Sequence, residues 1–252
     1  MTLANSINKL LYGGNPFSDA DTASYPLDLD GWFENTEIFD NFIDTLKPKF
    51  IIEVGSWKGK SSHYMLRRAL SHGDASIVCV DTWLGSSEHW LNPGWRALLG
   101  IKNGRPTIQD QFMANVVHAG LTEHVVPLPL PSRQASLILE RIRQGRPGFS
   151  ELIFIDGAHD EASVYEDIDA YWPLLSPGGV IVGDDYGDDY WPGVVKAVER
   201  FRGEYADQIT ATGDIRGRWF AQKHPDARTA ASPHASGLHF GEKLSHLRSN
   251  QL

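Results

Sequence analysis

Five short apolar runs alternate along the chain with segments of helical periodicity, and this alternation constrains the fold more than any other feature. The runs are KFIIEV (49–54), SIVCVD (76–81), HVVPLPL (124–130), ELIFID (151–156) and GVIVGDD (179–185). Their apolar residues are continuous rather than alternating with polar ones, which is typical of strands covered on both faces. Such strands joined by helices predict a doubly wound, mostly parallel α/β sheet of the Rossmann-like type.

The segments between these runs complete the predicted architecture. Helices are expected at 33–47, 59–73, 107–120, 132–145, 160–175 and 191–205. Residues 82–105 read as a long irregular stretch, which favours a lid over a functional site. Residues 206–222 predict an antiparallel edge hairpin that turns at a central Gly-Asp pair. We therefore expect an N-terminal segment at 1–35, one domain at 36–222 and a polar C-terminal tail or arm at 223–252, which hints at exchange between subunits of a homo-oligomer.

Composition excludes several functional classes. The net charge of −9 argues against a nucleic-acid partner or an anionic membrane surface, since both require a basic face. No apolar run reaches the roughly 18 residues that a membrane-spanning helix needs. Cys79 is the single cysteine, so an internal disulfide is excluded. The N-terminus is too polar for a secretory signal, and we expect a cytoplasmic protein.

The motif EVGSWKGKSS (53–62) places glycines directly after the first strand. Gly55 and Gly59 enclose three residues, whereas a P-loop encloses four. Trp57 stands where a dinucleotide-binding fingerprint requires its second glycine. Neither phosphate-binding motif is therefore satisfied, although a degenerate P-loop, or a turn without a ligand, stays an alternative.

Acids at the ends of the first two strands favour a different ligand. Glu53 precedes the first glycine, and Asp81 ends the second strand. Neighbouring strands lie about 5 Å apart, so both acids are expected at one edge of the sheet. Asp81 is placed to accept hydrogen bonds from two ribose hydroxyls. Glu53 would repel phosphate but suits a ligand with a cationic end, such as S-adenosylmethionine.

On these residues, positions 35–205 resemble class I S-adenosylmethionine-dependent methyltransferases, whose Rossmann-like fold the chain is then expected to share. The resemblance implies that the glycine turn surrounds the methionine end of the cofactor and that Asp81 binds its ribose. The residues predicted to bind the cofactor are Glu53, Gly55, Ser56, Gly59, Ser61, Asp81, Trp83, Ser132 and Asp156. Two of these have other readings, because Ser132 can be a helix N-cap and Trp83 can be plain packing.

Carboxylates cluster at the ends of the fourth and fifth strands. Strand four ends in IDGAHD, with Asp156 and His159, and strand five ends in GDDY, with Asp184 and Asp185. If these strands are adjacent, three carboxylates converge, which is unfavourable without a cation. Oxygen ligands select a hard ion, so we predict a Mg²⁺ site at Asp156, Asp184 and Asp185, with Mn²⁺ or Ca²⁺ as alternatives. Helix capping, or one acid bridging the magnesium of a nucleotide, is the other reading.

The acid-x-x-His element and the paired acids resemble metal-dependent O-methyltransferases, namely the macrolide sugar O-methyltransferases and cephalosporin-hydroxylase-like proteins. This resemblance implies Mg²⁺-dependent transfer of a methyl group from S-adenosylmethionine to a small-molecule hydroxyl acceptor, a sugar or a glycosylated natural product. His159 would be the general base and Asp156 a second catalytic residue, whereas His159 as a helix N-terminal residue is the other reading. His89 and Trp90 of the lid are our choices for acceptor contact.

Two alternatives from other classes stay open. One is a P-loop-like nucleotide-binding phosphohydrolase, and the other is a non-catalytic S-adenosylmethionine-binding protein. The chain also departs from the macrolide enzymes, because about 35 residues precede its first predicted helix where those enzymes carry a larger auxiliary domain.

Overall fold

The computed structural model describes residues 1–144 and 148–226. Most of the expected C-terminal tail, residues 227–252, lies outside the described residues, so the predicted division into segments stays a prediction. Among the described residues, no helix is both long and apolar enough to cross a bilayer.

Seven strands form one sheet with the order β3-β2-β1-β4-β5-β7-β6. The strands are β1 Phe50–Val54, β2 Ser76–Val80, β3 Val125–Leu128, β4 Ser150–Ile155, β5 Leu175–Gly183, β6 Ile209–Ile215 and β7 Arg218–Lys223. β1 to β5 are parallel, and β7 and β6 add an antiparallel edge. The predicted topology is confirmed.

Helices cover both faces of the sheet. They are α1 Leu3–Tyr12, α2 Glu37–Leu46, α3 Lys60–Leu70, α4 Ser87–Leu91, α5 Pro93–Leu98, α6 Ile108–His118, α7 Ser132–Arg143, α8 Glu161–Tyr171 and α9 Pro192–Glu204, with 3-10 turns at Trp172–Leu174 and Ala206–Gln208. Successive β1 residues face opposite ways: Ile52 packs in the core beneath α7, α8 and α9, whereas Ile51 packs in the core beneath α2, α3 and α6. This two-sided burial explains the continuous apolar runs.

The edge hairpin forms as expected, but its turn was placed wrongly. β6 and β7 are joined by Arg216 and Gly217, which have φ values of 50° and 86°. Two central residues with positive φ define the turn type that matches the twist of a two-residue hairpin. The Gly-Asp pair expected at the turn, residues 213 and 214, instead continues β6.

Two further elements differ from the sequence-based prediction. The N-terminal segment contains α1, which begins after a Thr2 cap and ends at Gly13 in the left-handed conformation. Asn8 of this helix donates a hydrogen bond to the carbonyl of Val125 in β3, 2.9 Å away, which anchors the helix at that edge of the sheet. The stretch expected to be irregular, 82–105, contains the short helices α4 and α5.

Candidate active site

Strand register brings the predicted carboxylates to one edge of the sheet. Ile155 at the end of β4 pairs with Val54 of β1 on one side and with Gly183 of β5 on the other. The backbone amides that follow extend the ladder, since Asp156 donates to the Val54 carbonyl (2.8 Å) and Asp184 donates to the Ile155 carbonyl (3.1 Å). Asp156 and Asp184 therefore leave adjacent strands side by side.

The glycine turn after β1 lies directly against the first of these acids. Gly55 has a φ of 87°, and a Cβ atom built on it would stand 1.9 Å from the carbonyl oxygen of Asp156. A side chain cannot be placed there without moving the backbone of one strand end. Glycine at this position is thus required both by the left-handed turn and by the close approach.

A cavity of about 540 Å³ lies over this edge. Six of the predicted cofactor-binding residues line it, namely Gly55, Ser56, Ser61, Asp81, Ser132 and Asp156. The predicted base His159 and the acids Asp184 and Asp185 line the same cavity. The glycine turn and the carboxylates thus share one space, as the sequence predicted.

Three residues predicted to bind the cofactor lie outside the cavity lining. Glu53 is fully buried behind the turn, where Ser62 donates a hydrogen bond to it and burial raises the pKa of its carboxyl. Gly59 precedes α3, and a Cβ atom there would lie 3.1 Å from the ring of Phe112. Trp83 is 2% exposed and packs on the same ring at 4.8 Å between centroids. The position of Trp83 therefore agrees with the alternative that this side chain packs in the core.

Asp81 holds the backbone of the turn in place. Its Oδ2 accepts a hydrogen bond from the Trp57 amide (2.8 Å) and its Oδ1 accepts one from the Trp83 amide (2.7 Å). Both tryptophans have positive φ, 46° and 51°, which is costly for residues other than glycine and concentrates at functional sites. Burial raises the pKa of Asp81, and these amides oppose the rise.

Ser132 and Asp167 form a polar pair in the cavity wall. Ser132 is the first residue of α7 and Pro131 is the N-cap, so the capping alternative for Ser132 is wrong. The Ser132 hydroxyl donates instead to Oδ1 of Asp167, a residue of α8 that the sequence reasoning missed. The signal was present, because Asp167 falls on the same helical stripe as Val164 and Ile168, where an apolar residue is expected.

Burial and mutual repulsion raise the pKa values of carboxylates at the ends of β4 and β5. Burial raises the pKa of Asp156 well above its usual range, and the charges of Asp184 and Asp185 raise it further. Burial also raises the pKa of Asp184, but the nearby guanidinium of Arg218 opposes that rise. Nη2 and Nε of Arg218 lie 2.9 and 3.2 Å from Oδ2 of Asp184.

Arg218 connects the carboxylates to the N-terminal segment. This β7 residue is 4% exposed, and its guanidinium lies 5.1 Å from the ring centroid of Phe33. Its Nη1 donates to the backbone carbonyls of Glu34 and Asn35. The sequence reasoning missed Arg218, because an arginine near a hairpin turn gives no local sign of a partner 34 residues earlier.

His159 and Asp185 form the most explicit acid–base arrangement in the cavity. Nε2 of His159 lies 3.0 Å from Oδ2 of Asp185, and the imidazole stacks on Trp191 with ring centroids 4.1 Å apart. Asp185 reaches this position with a φ of 60°. A carboxylate on Nε2 favours the tautomer with its proton there, which leaves Nδ1 able to accept a proton.

Two of the three acids predicted to bind Mg²⁺ are engaged by other groups. Asp184 is bonded through Oδ2 to Arg218 and through Oδ1 to the Asp185 amide, and Asp185 also pairs with His159. Within residues 1–144 and 148–226, no group of three His, Cys, Asp or Glu side chains is disposed to hold a metal ion. The Mg²⁺ site therefore stays a prediction from sequence.

Four rings from three segments form an aromatic cluster along the cavity: Trp32, Trp57, His89 and Trp95. The imidazole of His89 stacks on Trp57 at 4.8 Å between centroids, and Trp32 lies 5.7 Å from Trp57 and 6.4 Å from Trp95. His89 lines the cavity and Trp90 does not, and the predicted contact of His89 with the acceptor stays a prediction. Trp32 was missed because it lies about 60 residues from the lid in sequence.

Comparison with known proteins places the chain in a family. A family model described as a methyltransferase domain matches residues 52–186. The tetracenomycin-C derivative 4'-O-methyltransferase of Streptomyces olivaceus, which acts on an 8-(2,3-dimethoxy-alpha-L-rhamnosyl) compound according to its name, is 28% identical over 180 residues. That match spans 66% of this chain and 64% of the relative, just under two thirds of its length.

Solved structures share the fold. The O-methyltransferase TomG of Streptomyces achromogenes, crystallised with S-adenosylmethionine, has a TM-score of 0.53 and 16% identity, with 88% of this chain and 96% of that chain covered. The calicheamicin methyltransferase CalS11 has a TM-score of 0.54 and 15% identity over 74% of this chain and 77% of that one. Because the family model covers more than half of the sequence, the chain belongs to this methyltransferase-domain family, as its glycine turn and strand-end acids predicted.

Proposed function

We propose that this protein transfers the methyl group of S-adenosylmethionine to a hydroxyl group of a small molecule, with a sugar or a glycosylated natural product as the acceptor. One observation carries the proposal. A single cavity joins the glycine turn and Asp81, which suit the cofactor, to the His159–Asp185 pair, which suits an acceptor hydroxyl.

The residues of the cavity fit the cofactor. The close approach at Gly55 leaves backbone rather than side chain in this wall. Asp81 suits the ribose hydroxyls and Asp156 suits the cationic methionine end. When bound, the cofactor would supply a methyl group activated by a positively charged sulfur.

His159 is the proposed base. With the proton of the imidazole on Nε2 facing Asp185, Nδ1 would accept the proton of the acceptor hydroxyl. Asp185 orients the ring and stabilises the imidazolium that forms, and Trp191 fixes the ring plane. A positioned base of this kind contributes about 10²- to 10⁴-fold to rate.

The aromatic cluster supports a ring-shaped acceptor. Trp32, Trp57 and Trp95 offer flat apolar faces beside the strand-end acids, and such faces pack well on the C–H face of a sugar ring or on a planar aglycone. The likeness to an enzyme whose name gives a rhamnosyl compound supports the sugar.

Magnesium dependence is the finer part of the proposal. It is supported by the burial of Asp156 and by the charges of Asp184 and Asp185, which together raise the pKa of Asp156, although Arg218 already supplies one positive charge. Treatment with EDTA followed by added Mg²⁺ decides the point. Transfer that is lost and then restored supports a metal ion, whereas full transfer in EDTA assigns the chemistry to His159 and Asp185 alone.

A transfer assay tests the function. The protein is incubated with S-adenosylmethionine carrying a trideuterated methyl group and a panel of rhamnosides and catechols, and products are detected by mass spectrometry. We expect a mass gain of one labelled methyl group on a glycoside hydroxyl. A protein that binds the demethylated cofactor but methylates no acceptor would support the non-catalytic alternative. Thermal stabilisation by ATP and not by the demethylated cofactor would favour the nucleotide-binding one.

A further inference from the structure

A second cavity of about 300 Å³ adjoins the proposed active site, and the proposed chemistry makes no use of it. It is lined by Asp30, Gly31, Trp32, Trp57, Lys58 and Leu98. Three of these residues, Gly31, Trp32 and Trp57, also line the main cavity. The two cavities therefore lie next to each other, and a ligand that follows the indole rings of Trp32 and Trp57 can extend from one into the other.

A buried network holds the walls of the second cavity. Asn115 of α6 is fully buried and binds both segments that form these walls. Its side chain accepts a hydrogen bond from the Asp28 amide (2.9 Å) and donates to the carbonyls of Asp28 (2.6 Å) and Lys58 (2.8 Å). Nζ of Lys58 lies 2.7 Å from Oδ2 of Asp28, and Nζ of Lys60 donates to the Gly31 carbonyl (2.8 Å). These bonds fix the N-terminal segment against the glycine turn, so the space between them is part of the fold.

The residues that line the second cavity favour a flat, uncharged group. Trp32 is 59% exposed and Leu98 is 37% exposed, so both leave apolar surface uncovered. The one cation in the lining, Lys58, is paired with Asp28, whereas Asp30 adds an acidic side chain. A phosphate group would therefore meet repulsion here, and an aromatic ring system would bury the apolar surface.

The placement of the second cavity relative to His159 indicates which part of an acceptor it takes. His159 and Asp185 line the main cavity after β4 and β5, whereas no residue of those strands is among the six that line the second cavity. A sugar whose hydroxyl reaches His159 carries its glycosidic bond on a different ring carbon. The group attached through that bond, when it leaves the main cavity along Trp32 and Trp57, enters the second cavity.

We propose that the second cavity binds the aglycone of the acceptor, a planar and uncharged ring system, while the sugar lies in the main cavity. The inference rests on the proposed function and narrows its substrate class, because the acceptor is then a finished glycoside and not a free or nucleotide-linked sugar. A glycosyl transfer must therefore supply the substrate of this reaction.

The test measures by calorimetry how tightly the complex with S-adenosylhomocysteine binds three rhamnose derivatives. Naphthyl rhamnoside carries a planar aglycone, methyl rhamnoside carries almost none, and TDP-rhamnose carries a diphosphate in the same place. The wild-type protein should bind naphthyl rhamnoside at least about 10-fold more tightly than either of the others, since it buries one more aromatic group. Equal affinities, or tightest binding of TDP-rhamnose, would overturn the inference.

Leu98→Asp locates the effect, because Leu98 lines the second cavity and not the main one. A carboxylate at this position should weaken binding of naphthyl rhamnoside about 10-fold and leave the affinity for methyl rhamnoside within about twofold. Leu91→Asp is the matched control, since it makes the same change in the same lid at a residue that is 81% exposed and lines neither cavity. The control should keep the wild-type preference. An unchanged preference in Leu98→Asp, or an equal loss in both variants, would overturn the inference.

Asp30→Lys covers the case in which Leu98→Asp does not fold, because the Asp30 side chain is exposed and lines only the second cavity. The diphosphate of TDP-rhamnose takes the place of the aglycone, so the new ammonium group should tighten binding of TDP-rhamnose at least about fivefold at low salt. Binding of methyl rhamnoside should stay the same. An unchanged affinity for TDP-rhamnose would show that the substituent does not reach this cavity and would overturn the inference.

Transfer of the labelled methyl group, measured on the same samples, separates this inference from the proposed function. Preferential binding of naphthyl rhamnoside without transfer would contradict the proposed function and leave the binding site standing. Transfer to both rhamnosides with equal affinity would support the proposed function and overturn the aglycone site.

Discussion

The two sides of the cavity are held together in different ways. On the proposed cofactor side, which comprises the ends of β1, β2 and β3, the key acid Asp81 is fixed by nearby backbone. Asp81 accepts the amides of Trp57 and Trp83, and the turn at Gly55 rests on the backbone of the next strand end. These contacts follow from strand register and left-handed turns.

On the proposed acceptor side, which comprises the ends of β4 and β5 with the aromatic cluster, the key residues are held by contacts between side chains. Asp184 depends on Arg218 from the edge hairpin, and Asp185 pairs with His159 from the preceding strand end. The rings of the aromatic cluster come from separate segments. We infer that substitutions on the cofactor side change the backbone and therefore alter cofactor binding and protein stability. Substitutions on the acceptor side should instead alter the transfer rate and the affinity for the acceptor. Arg218 is the exception, because it also ties the sheet to the N-terminal segment.

Arg218→Met should give the largest loss of stability. It leaves Asp184 without its cation and removes the hydrogen bonds to the carbonyls of Glu34 and Asn35, and breaking a pair of this kind costs about 3 kcal/mol or more. Urea denaturation at pH 8 measures the change. The control is Arg216→Met in the same hairpin, whose side chain is 65% exposed and lies 3.6 Å from Glu37, so its loss should stay below about 1 kcal/mol. Equal effects of the two variants would show that Arg218 does not support the carboxylates.

Gly55→Ala tests the cofactor side. The added methyl group meets the Asp156 carbonyl and occupies a left-handed conformation, so we expect a loss of about 2–3 kcal/mol in the free energy of unfolding and weaker binding of S-adenosylhomocysteine. Gly178→Ala separates the two causes, because Gly178 has a φ of 78° with nothing within 4 Å of a Cβ atom. It should lose about 1 kcal/mol and keep binding. Normal binding by Gly55→Ala would remove the turn from the cofactor site.

Asp167 should make stability depend on pH. A carboxyl whose pKa is raised to about 7 by folding holds a proton that the unfolded chain has released, so its contribution is present at low pH and lost as pH rises toward 7. Between pH 5 and pH 7 this amounts to about 2 kcal/mol. Urea midpoints at the two pH values should fall less in Asp167→Asn than in the wild-type protein. Identical falls would show that Asp167 is ionised in the folded state at pH 5.

Trp95→Leu should give the smallest effect and tests whether the aromatic cluster binds the acceptor. Loss of one ring from the aromatic cluster should raise the acceptor KM about five- to tenfold with little change in the Kd of S-adenosylhomocysteine. Trp90→Leu, on the other short helix of the lid and outside the cavity lining, is the control and should change neither. A larger effect at Trp90 would place the acceptor on the other side of the lid.

The same difference between the two sides explains which residues of the site could be predicted from the sequence. Asp156 and Asp184 could be placed together because parallel strands end at one edge, and that rule needs only the order of elements. Gly55 was recognisable because its turn is local. Arg218 and Trp32 could not be predicted, since their partners are brought close only by the packing of the edge hairpin and the N-terminal segment.

Helical periodicity gave a partial signal for one buried residue, Asp167. Asp167 interrupts the apolar stripe of α8, a pattern that marks a buried acid without naming its partner.

The lid was read as irregular because α4 and α5 have five and six residues, too few to establish helical periodicity. The hairpin turn was misplaced because two glycines lie within five residues, and only the backbone shows that Gly217, not Gly213, has positive φ.

We infer that different residues of the cavity bind the cofactor and activate the acceptor. The Asp185→Asn variant tests this most directly, with the methyl-transfer rate and the Kd of S-adenosylhomocysteine measured on the same sample. The control is Asp44→Asn, which alters a His–Asp pair of similar length, 2.8 Å to His72, away from the cavity. We predict that Asp185→Asn lowers the rate at least 100-fold while the Kd stays within about twofold, and that the control changes neither. An unchanged rate, or a rate and an affinity that fall together, would contradict the account.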